Sequence, residues 1–249
     1  MPELIAIFSD VHSNIEALHA VVADMENLNI HRRYCLGDIV GYGPDPGACL
    51  DLVRDMGCPV LKGNHESAVG STNFQQEMEA EEMNTSALAG IELSRKVLSV
   101  EQCNWLRQLP LTLHEENVEF VHGSLDAPGE WWYVLSPDDA RLHFAAQARP
   151  LCFCGHTHNP MVWHLDGGRL SVRPGVGRIP ISERGKTLIN VGSVGQPRDL
   201  NSDACYAVYS PEGKWIQFRR VRYDLHKTKK KIKEAGLPNY TARRLSEGR

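Results

Sequence analysis

The N-terminal part of the sequence alternates between short apolar runs and an amphipathic stretch, and this order leaves few folds open. The apolar run LIAIF at residues 4–8 has the length and composition of a buried strand. Apolar residues three and four apart then predict a helix over 14–28, with Ser13 and Glu16 in the positions of a capping box. A second strand is predicted at 33–36. Strand, helix and strand in succession are typical of a βαβ unit, which requires a parallel sheet covered by helices.

The alternation continues to about residue 160, and strands and turns dominate beyond it. No internal repeat or linker interrupts the chain, so we predict a single α/β domain over residues 1–249, with two packed β-sheets and outer helices. We expect the last dozen residues, after a basic helix at about 224–235, to be a loose tail. The other predicted helices are 46–56, 75–98, 99–109 and one capped by Ser136 with Pro137 at its first position. The other predicted strands are 59–61, 110–114, 118–122, 151–154, 161–165, 167–173 and 187–192, followed by a hairpin at 205–220.

Charge and cysteine content argue against several classes of protein. The net charge of −4 and the pI near 6.3 do not fit a general footprint for nucleic-acid phosphates. Residues 214–233 carry nine Lys or Arg and one acid, Asp224, and we interpret this run as a solvated surface. Seven cysteines are an odd number for a disulfide framework, and no apolar run approaches the length of a membrane span. Because the first residues also lack a signal-peptide pattern, we expect a cytoplasmic protein.

Five short segments place a side chain that can bind a metal directly after a predicted strand. Ligands of α/β sheets bind in the crevice outside the carboxyl ends of the strands, so we expect these side chains to meet at one edge. Residues two apart point the same way in an extended chain, which would let the two members of each D-x-H or H-x-H pair converge. The segments are Asp10-Val11-His12, Gly37-Asp38, Gly63-Asn64-His65, His122-Gly123 and Gly155-His156-Thr157-His158.

The side chains in these segments are of the types that divalent transition metals prefer. Imidazole suits Zn, Fe and Ni, and carboxylate or amide oxygens also suit Mn. Two carboxylates against two divalent ions leave a formal charge of about +2, which attracts a phosphate anion. Two such ions roughly 3.5–4 Å apart can activate water and clamp an in-line displacement at phosphorus. The sequence therefore predicts a two-metal phosphoesterase centre.

In this order, the motifs D-x-H, GD, GNH, HG and GHTH resemble the signature of the calcineurin-like metallophosphoesterases. The segments NVGSVGQPRD at 190–199 and SDACYAVYS at 202–210 resemble the bacterial branch related to diadenosine tetraphosphatase-like phosphoesterases. Each motif alone is weak, but five in order are specific, and the resemblance covers nearly the whole chain. It implies a four-layer α/β/β/α sandwich of two mixed β-sheets flanked by helices.

The resemblance also implies a role for each motif residue. A hydroxide bridging two divalent transition-metal ions (Mn, Fe, Zn or Ni) would attack the phosphorus. His65 would face the phosphate and either stabilise the developing charge or protonate the leaving group. The implied ligands are Asp10, His12 and His158 for one metal and Asn64, His122 and His156 for the other, with Asp38 bridging the two.

Three departures from the family pattern bear on the substrate. Glu66 stands where the third motif usually has Asp, and Gly41-Tyr42-Gly43 stands where Ser/Thr protein phosphatases have the DRG of GDxxDRG. Those enzymes use that Asp to orient the GNH histidine and that Arg to hold phosphate, which argues against phosphoprotein phosphatase activity. The usual NPGS reads NVGS at 190–193, and we expect this change to be harmless.

Two residues, Trp132 and Arg198, are candidates for binding the substrate. The aromatic run Trp131-Trp132-Tyr133, with Trp132 as the candidate residue, would either stack on a nucleobase or anchor its loop to the core. Arg198 would either clamp phosphate or pair with Asp199 or the loop backbone. We predict hydrolysis of a small phosphorylated substrate of nucleotide type, with no membrane partner and no nucleic acid. The alternatives are a phosphoprotein phosphatase and a non-catalytic binding module on the same fold. The sequence leaves open the choice among monoester, diester and anhydride, and also the oligomeric state.

Overall fold

The computed structural model describes residues 3–74 and 84–249, and residues 75–83 of the helix predicted at 75–98 lie outside this part. Strands and helices are numbered here in chain order. The strands are β1 Ile5–Phe8, β2 Arg32–Cys35, β3 Thr112–His114, β4 Val118–Val121, β5 Leu151–Cys154, β6 Met161–Asp166, β7 Arg169–Pro174, β8 Arg178–Pro180, β9 Lys186–Asn190, β10 Ala204–Ser210 and β11 Trp215–Val221. The helices are α1 Ile15–Asn27, α2 Pro46–Asp55, α3 Asn64–Gly70, α4 Thr85–Val97, α5 Val100–Gln108, α6 Pro137–Ala146, α7 Leu225–Glu234 and α8 Asn239–Glu247.

Two mixed β-sheets form the centre of the fold. The first has the strand order β2-β1-β10-β11-β8, with β1 and β2 parallel and the other pairs antiparallel. The second has the order β3-β4-β5-β9-β6-β7, in which β4, β5 and β9 are parallel. Of the parallel strands, β1, β2, β4 and β5 each precede a predicted site segment. The predicted architecture of two packed mixed sheets flanked by helices is confirmed.

Alternate side chains of the strands pack against different layers. In β1, Ile7 belongs to the core between the two sheets, where it packs with residues such as Phe153 of β5. Phe8, the next residue, lies on the opposite face and packs with Leu18 and Met25 of α1. Helix α6 covers the outer face of the second sheet in the same way. The order of layers is therefore helices, sheet, sheet and helix.

Two of the predicted helix starts are confirmed in detail. Ser99 and Gln102 form the capping box of α5, in which each side chain bonds the backbone N–H of the other residue. Ser136 caps α6, and Pro137 is its first helical residue. At α4, Asn84 is the cap, so a helix begins at residue 85.

The capping box predicted for α1 is wrong. Asn14 is the cap, and its side-chain oxygen accepts a hydrogen bond from the backbone N–H three residues later. Ser13 has a left-handed backbone with φ of 53°, so its side chain does not cap. Glu16 instead pairs with Lys231 at 2.6 Å and Lys227 at 3.3 Å in α7. The basic run is therefore partly a packing surface and not only a solvated face.

The last residues form a helix, and the prediction of a loose tail is wrong. Helix α8 packs on α7 through the buried side chains of Ile232, Leu237 and Leu245. The backbone N–H of Leu200 donates to the carbonyl of Gly248 at 2.9 Å, which fixes the end of the helix. The short apolar spacing in this segment was too weak a signal to read as a helix.

Two strand predictions also differ from the structure. Residues 59–61 contribute only a parallel bridge between Cys35 and Val60, so this run is not a full strand of the sheet. The short strand β8 was not predicted, and it pairs with β11 at the edge of the first sheet. Its three residues carry no alternation that a pattern could detect.

The sequence analysis argued against a disulfide framework and against a membrane-spanning segment. All seven cysteines are free, and five of them are buried. Among the described helices, none has the length and apolar character that crossing a membrane requires.

Leu245→Ala should loosen α8 and leave the two sheets intact. The substitution removes a buried side chain from the contact between α7 and α8, at a cost of about 2–3 kcal/mol for Leu→Ala in a core. Local opening should then become more frequent, and hydrogen exchange of the α8 amides should quicken by roughly 30-fold, measured by mass spectrometry. Arg243→Ala, on the exposed side of the same helix, is the control. Equal exchange in both variants would instead support a loosely held C-terminal segment.

Candidate metal centre

The structure brings all seven predicted metal ligands to one edge of the two sheets. Four of the segments follow β1, β2, β4 and β5, and the fifth begins α3. Backbone hydrogen bonds join neighbouring segments, because the N–H of Asp10 donates to Gly37 O at 3.0 Å and that of Gly155 donates to His122 O at 2.8 Å. The carboxyl ends of the parallel strands therefore converge as expected.

Asp10, His12 and His158 form a first buried cluster. Oδ1 of Asp10 lies 3.3 Å from Nε2 of His158 and 3.9 Å from Nε2 of His12. The two Nε2 atoms are 3.0 Å apart. The ligand atoms of all three residues lie close enough together to hold one metal ion.

Asp38, His122 and His156 form a second buried cluster. Oδ2 of Asp38 lies 3.3 Å from Nε2 of His122, which is 3.2 Å from Nδ1 of His156. The same Oδ2 lies 3.7 Å from Nε2 of His12, so Asp38 stands between the two clusters. Oδ1 of Asn64 is buried and has no hydrogen-bond partner within residues 3–74 and 84–249. An unpartnered amide oxygen at this position fits a metal ligand.

The first cluster fits a cation because its imidazole lone pairs face one another. Nδ1 of His12 donates to Val40 O at 3.2 Å, and Nδ1 of His158 donates to Gln196 O at 2.6 Å. Burial and neighbouring positive charge hold the pKa of both imidazoles below the usual range, so both Nε2 atoms carry lone pairs. Two lone pairs at 3.0 Å repel each other unless a cation lies between them.

Five of the seven predicted ligands have a left-handed backbone, which is uncommon for residues other than glycine. The φ angles are 56° at Asp10, 46° at His12, 54° at Asp38, 66° at His156 and 61° at His158. The extended backbone assumed for the D-x-H and H-x-H pairs is therefore wrong. Asp10 and His12 still meet, but His156 and His158 belong to different clusters. Such conformations cost about 1–3 kcal/mol each and persist where the surroundings fix them.

Glu66 fixes the loop that carries Asp38. Its carboxylate accepts backbone hydrogen bonds from Asp38 at 2.6 Å, Ile39 at 2.7 Å, Val40 at 3.3 Å and Gly63 at 2.9 Å. Burial and the Asp38 carboxylate raise the pKa of Glu66 to about 7, whereas these donors favour its charged form. The residue that departs from the family pattern therefore joins the GD and GNH segments. Sequence reasoning missed this role because three of the donors lie 26–28 residues away.

The segment at 190–195 supports the Asp10 loop. Ser193 Oγ donates to the Asp10 carbonyl at 2.8 Å, and the N–H of Gly195 donates to the same oxygen at 2.9 Å. The Asn190 side chain donates to Thr157 Oγ1 at 3.0 Å, within the GHTH turn. These residues fix the Asp10 loop and the GHTH turn, and in the sequence they were visible only through the family resemblance.

Burial and neighbouring charges shift the pKa values of the residues in the second cluster in different directions. Burial opposes ionisation of Asp38, but His122 and His65 hold its pKa well below the usual range. Burial also disfavours the charged form of His122, yet Asp38 and Asp10 raise the pKa of this imidazole to about 9. Burial and His122 lower the pKa of His156 to about 3. Ionised carboxylates that face mostly neutral imidazoles stabilise a bound cation.

His65 lies beside both clusters at the start of α3. Its N–H donates to Asp38 Oδ1 at 3.0 Å, and its Nε2 lies 4.0 Å from Asp38 Oδ2. Its Nδ1 is buried against Gly41, which has φ of 84°, and a Cβ at that glycine would overlap the imidazole. His65 also lies near enough to His12 and Asp38 for these three to hold an ion, so geometry alone does not separate a metal ligand from an acid.

A cavity of about 130 Å³ opens beside the clusters, with Tyr42, Tyr133 and Arg198 in its wall. This volume is below the roughly 300–1,000 Å³ of pockets for drug-sized ligands. The Tyr133 ring stacks on the imidazole of His156 with centroids 4.0 Å apart. Trp132 is 56% exposed and is not among the residues of this wall, whereas Tyr133 of the same aromatic run is. The role of Trp132 in substrate binding stays a prediction.

Arg198 is directed to the cavity and not to its neighbour in sequence. Its N–H donates to His158 O at 3.3 Å, and its Nη2 donates to Gln196 Oε1 at 2.9 Å. Asp199, the alternative partner, pairs with Arg220. No Asp or Glu in the described part of the chain lies within 4 Å of the Arg198 guanidinium. Its positive charge is therefore available to an anion in the cavity.

Comparison with known proteins gives consistent matches over the whole chain. Residues 4–214 match the model of the calcineurin-like phosphoesterase superfamily domain. An uncharacterised protein of Methanocaldococcus jannaschii is 38% identical over 99% of this chain and 98% of its own length. A metallophosphoesterase structure from Sphaerobacter thermophilus is 32% identical, covers 100% of both chains and has a TM-score of 0.85. A Pyrococcus horikoshii structure with 20% identity has a TM-score of 0.81 over 99% and 98% of the two chains and shows the same fold.

Asp38→Ala should remove both metal ions, whereas His158→Ala should chiefly weaken one. The Asp38 carboxylate lies between the clusters, and without it two cations would repel each other at short range. Elemental analysis after dialysis should give about two metals per chain for the unmodified protein, about one for His158→Ala and close to none for Asp38→Ala. His164→Ala, outside the clusters, is the control. One tightly held metal in the Asp38 variant would contradict the bridging role.

Proposed function

We propose that this chain, which belongs to the calcineurin-like phosphoesterase superfamily, is a dinuclear-metal-dependent enzyme that hydrolyses a phosphate ester or phosphoanhydride of nucleotide type. The observation that carries the proposal is the pair of buried clusters with Asp38 between them. The lone pairs of His12 and His158 face each other at 3.0 Å, with Oδ1 of Asp10 3.3–3.9 Å away, and a bound cation would relieve this repulsion.

The centre fits two divalent transition-metal ions, which when bound would supply Lewis acidity and lower the pKa of water. The protein prepares the ligands by orienting the imidazoles, because His12, His122 and His158 each donate Nδ1–H to a backbone carbonyl. The proposed ligands are Asp10, His12 and His158 for one ion and Asn64, His122 and His156 for the other, with Asp38 shared.

His65 acts on the substrate in this proposal. Gly41 blocks access to its Nδ1, so its Nε2 is the nitrogen that faces the clusters and the cavity. From there it would protonate the leaving oxygen or stabilise charge on the phosphate. A substrate phosphate in the cavity would also lie beside Arg198, whose charge would hold it in place.

The nucleotide type is supported by the aromatic side chains near the cavity. Tyr133 lines the wall and is 46% exposed, and the more exposed Trp132 directly precedes it in the same loop. Rings in this position suit stacking on a nucleobase that extends from the cavity. Small phosphomonoesters would gain nothing from this surface.

The two alternatives are less well supported. In the phosphoprotein phosphatases, an Asp and an Arg of the DRG sequence act at the position of Gly41-Tyr42-Gly43. Here a side chain at Gly41 would overlap His65, so no equivalent of that Asp fits. A non-catalytic binding module would not need seven converging ligands together with His65.

Chelation should abolish hydrolysis, and Mn, Ni or Co should restore it. The mixed imidazole, carboxylate and amide ligand set prefers such ions. The measurement is hydrolysis of a panel of phosphate compounds after exhaustive dialysis against chelator and again after each metal is added. Full activity in excess chelator would end the two-metal proposal.

His65→Asn should keep both metals and nearly unchanged substrate binding, while kcat falls by roughly 10²–10⁴-fold, the usual contribution of an acid or base. The loss should shrink for nitrophenyl substrates, whose leaving group departs without a proton. Metal content and kcat for good and poor leaving groups are the measurements. An equal loss for both groups would favour electrostatic stabilisation of phosphate, and loss of a metal would make His65 a ligand.

A further inference from the structure

Residues 193–196, after β9, hold two of the three side chains of the first cluster. The N–H of Gly195 donates to the carbonyl of Asp10 at 2.9 Å. The carbonyl of Gln196, the next residue, accepts the Nδ1–H of His158 at 2.6 Å. A displacement of these residues would therefore move proposed ligands of the first cluster before those of the second.

The side chain of Asn14 anchors this segment. Its Nδ2 donates to the carbonyl of Gly195 at 2.9 Å, and its Oδ1 accepts the N–H of Ala17 at 3.2 Å. These two bonds fix which end of the amide is oxygen and which is nitrogen. The packing here is close, because a Cβ at Gly195 would overlap the carbonyl oxygen of Val11. Asn14 therefore joins the start of α1 to the residues that hold the Asp10 loop.

Thr228 reaches the Asn14 amide from α7. Its Oγ1 lies 3.0 Å from Oδ1 of Asn14, and both residues are buried. An amide oxygen has no proton, so at this distance the Thr228 hydroxyl must donate. The same hydroxyl lies 3.3 Å from Oε2 of Glu16 and 3.3 Å from the carbonyl of Asp224, one turn earlier. The nearest acceptor of the hydroxyl is therefore the Asn14 amide and not its own helix.

Lys231, one turn after Thr228, fixes α7 against the same region. Its Nζ lies 2.6 Å from Oε1 of Glu16 and 3.0 Å from Oδ2 of Asp45. Thr228 and Lys231 are three positions apart, so they lie on one face of the helix, and this face packs on the start of α1. Helix α7 lies beyond residues 4–214, the part of the chain that matches the family domain.

We infer that Thr228 is a positioning residue for the first cluster, acting through Asn14. By holding that amide it fixes residues 193–196, and these hold Asp10 and His158. The inference rests on the proposed function, because it concerns the affinity for one of the two proposed ions. Residues that orient metal ligands through hydrogen bonds typically contribute about 10–100-fold to metal affinity. Loss of the hydroxyl should therefore weaken the ion of the first cluster and leave the other nearly unchanged.

A purely structural role for Thr228 makes different predictions. A threonine inside a helix often bonds the carbonyl four residues earlier, and Asp224 offers such a bond here. In that case loss of the hydroxyl would lower stability and leave both metal affinities unchanged, or weaken both alike if α7 detached. The discriminating measurement therefore compares the affinities for two ions in one protein.

Calorimetric titration of the metal-free, full-length protein with Mn²⁺ separates these roles. Thr228→Val keeps the shape of the side chain and removes the hydroxyl, so it should weaken one ion by about 10-fold and change the other by less than about 2-fold. Thr228→Ser, which retains a hydroxyl, should bind both ions within about 2-fold of the unmodified protein.

Thr241→Val, in α8, is the matched control. The Thr241 hydroxyl is buried, and in the part of the chain that the structure describes it has no hydrogen-bond partner. This variant makes the same change of side chain in the neighbouring helix, and it should change neither metal affinity.

Two further backgrounds identify the ion and the route. In His158→Ala, which removes a side chain of the first cluster, Thr228→Val should change the remaining ion by less than about 2-fold. Asn14→Ser keeps a capping hydroxyl for α1 and loses the donor to Gly195. In that background Thr228→Val should again add less than about 2-fold, because residues that act through one another are not additive.

Hydrogen exchange in the metal-free protein gives a readout that needs neither metal nor turnover. The N–H of Gly195 donates to the carbonyl of Asp10, and its exchange should quicken by roughly 10-fold in Thr228→Val and stay unchanged in Thr241→Val. If the valine variant detaches α7, seen as faster exchange throughout that helix, Thr228→Ala replaces it, because alanine places no methyl group against the Asn14 oxygen.

Four results would overturn the positioning role. They are equal weakening of both ions by Thr228→Val, an equal effect of Thr241→Val, unchanged binding of both ions in a folded Thr228→Val variant, and an additive effect in the Asn14→Ser background. The proposed function fails separately, if the unmodified protein hydrolyses no phosphate compound with any metal. The exchange of Gly195 then still decides whether Thr228 fixes residues 193–196.

Discussion

The arrangement of the site depends on buried imidazole lone pairs that face one another. Nε2 of His12 and Nε2 of His158 are 3.0 Å apart, and neither ring can turn away without losing the hydrogen bond from its Nδ1 to a backbone carbonyl. Asp38 adds a carboxylate to the same space, 3.7 Å from Nε2 of His12. Without cations this arrangement is repulsive, so under the proposed function metal binding and the order of the five loops would be thermodynamically coupled. The sandwich supplies the rigidity that keeps the repelling groups together.

Hydrogen bonds from neighbouring loops keep the proposed ligands in their strained backbone conformations. Asp10 and Asp38 both have left-handed φ angles, and each follows a strand of the first sheet. Ser193 and Gly195 bond the carbonyl of Asp10, and the Glu66 carboxylate collects four backbone N–H groups around Asp38. Each support comes from another loop at the same edge of the sheets. The parallel strands therefore determine which loops can support one another, as well as where the ligands lie.

The sequence predicted those features that local patterns encode. The strand runs, the helix start at Ser136 and the set of metal-binding side chains each depend on a few neighbouring residues, and the structure brings these side chains together as expected. The sequence did not reveal features that depend on contacts between residues far apart in the chain. Glu66 bonds a loop 26–28 residues away, and Glu16 pairs with Lys231 across the fold and does not cap its own helix. The irregular loop around Trp132 has no periodicity, so the sequence did not show which member of the aromatic run 131–133 lines the cavity, and in the structure Tyr133 does.

In the proposed function, the substrate phosphate is held without the DRG sequence of the protein phosphatases. Because Gly41 packs on the imidazole of His65, that position has no room for a side chain, and Tyr42 occupies the adjacent wall. In the proposed function, positive charge comes from Arg198, in the segment after β9. That segment is joined to the end of α8 by the backbone hydrogen bond from Leu200 to Gly248. The packing of α7 and α8 therefore bears on the position of Arg198, and under the proposed function a change in that packing would alter phosphate binding without touching a proposed metal ligand.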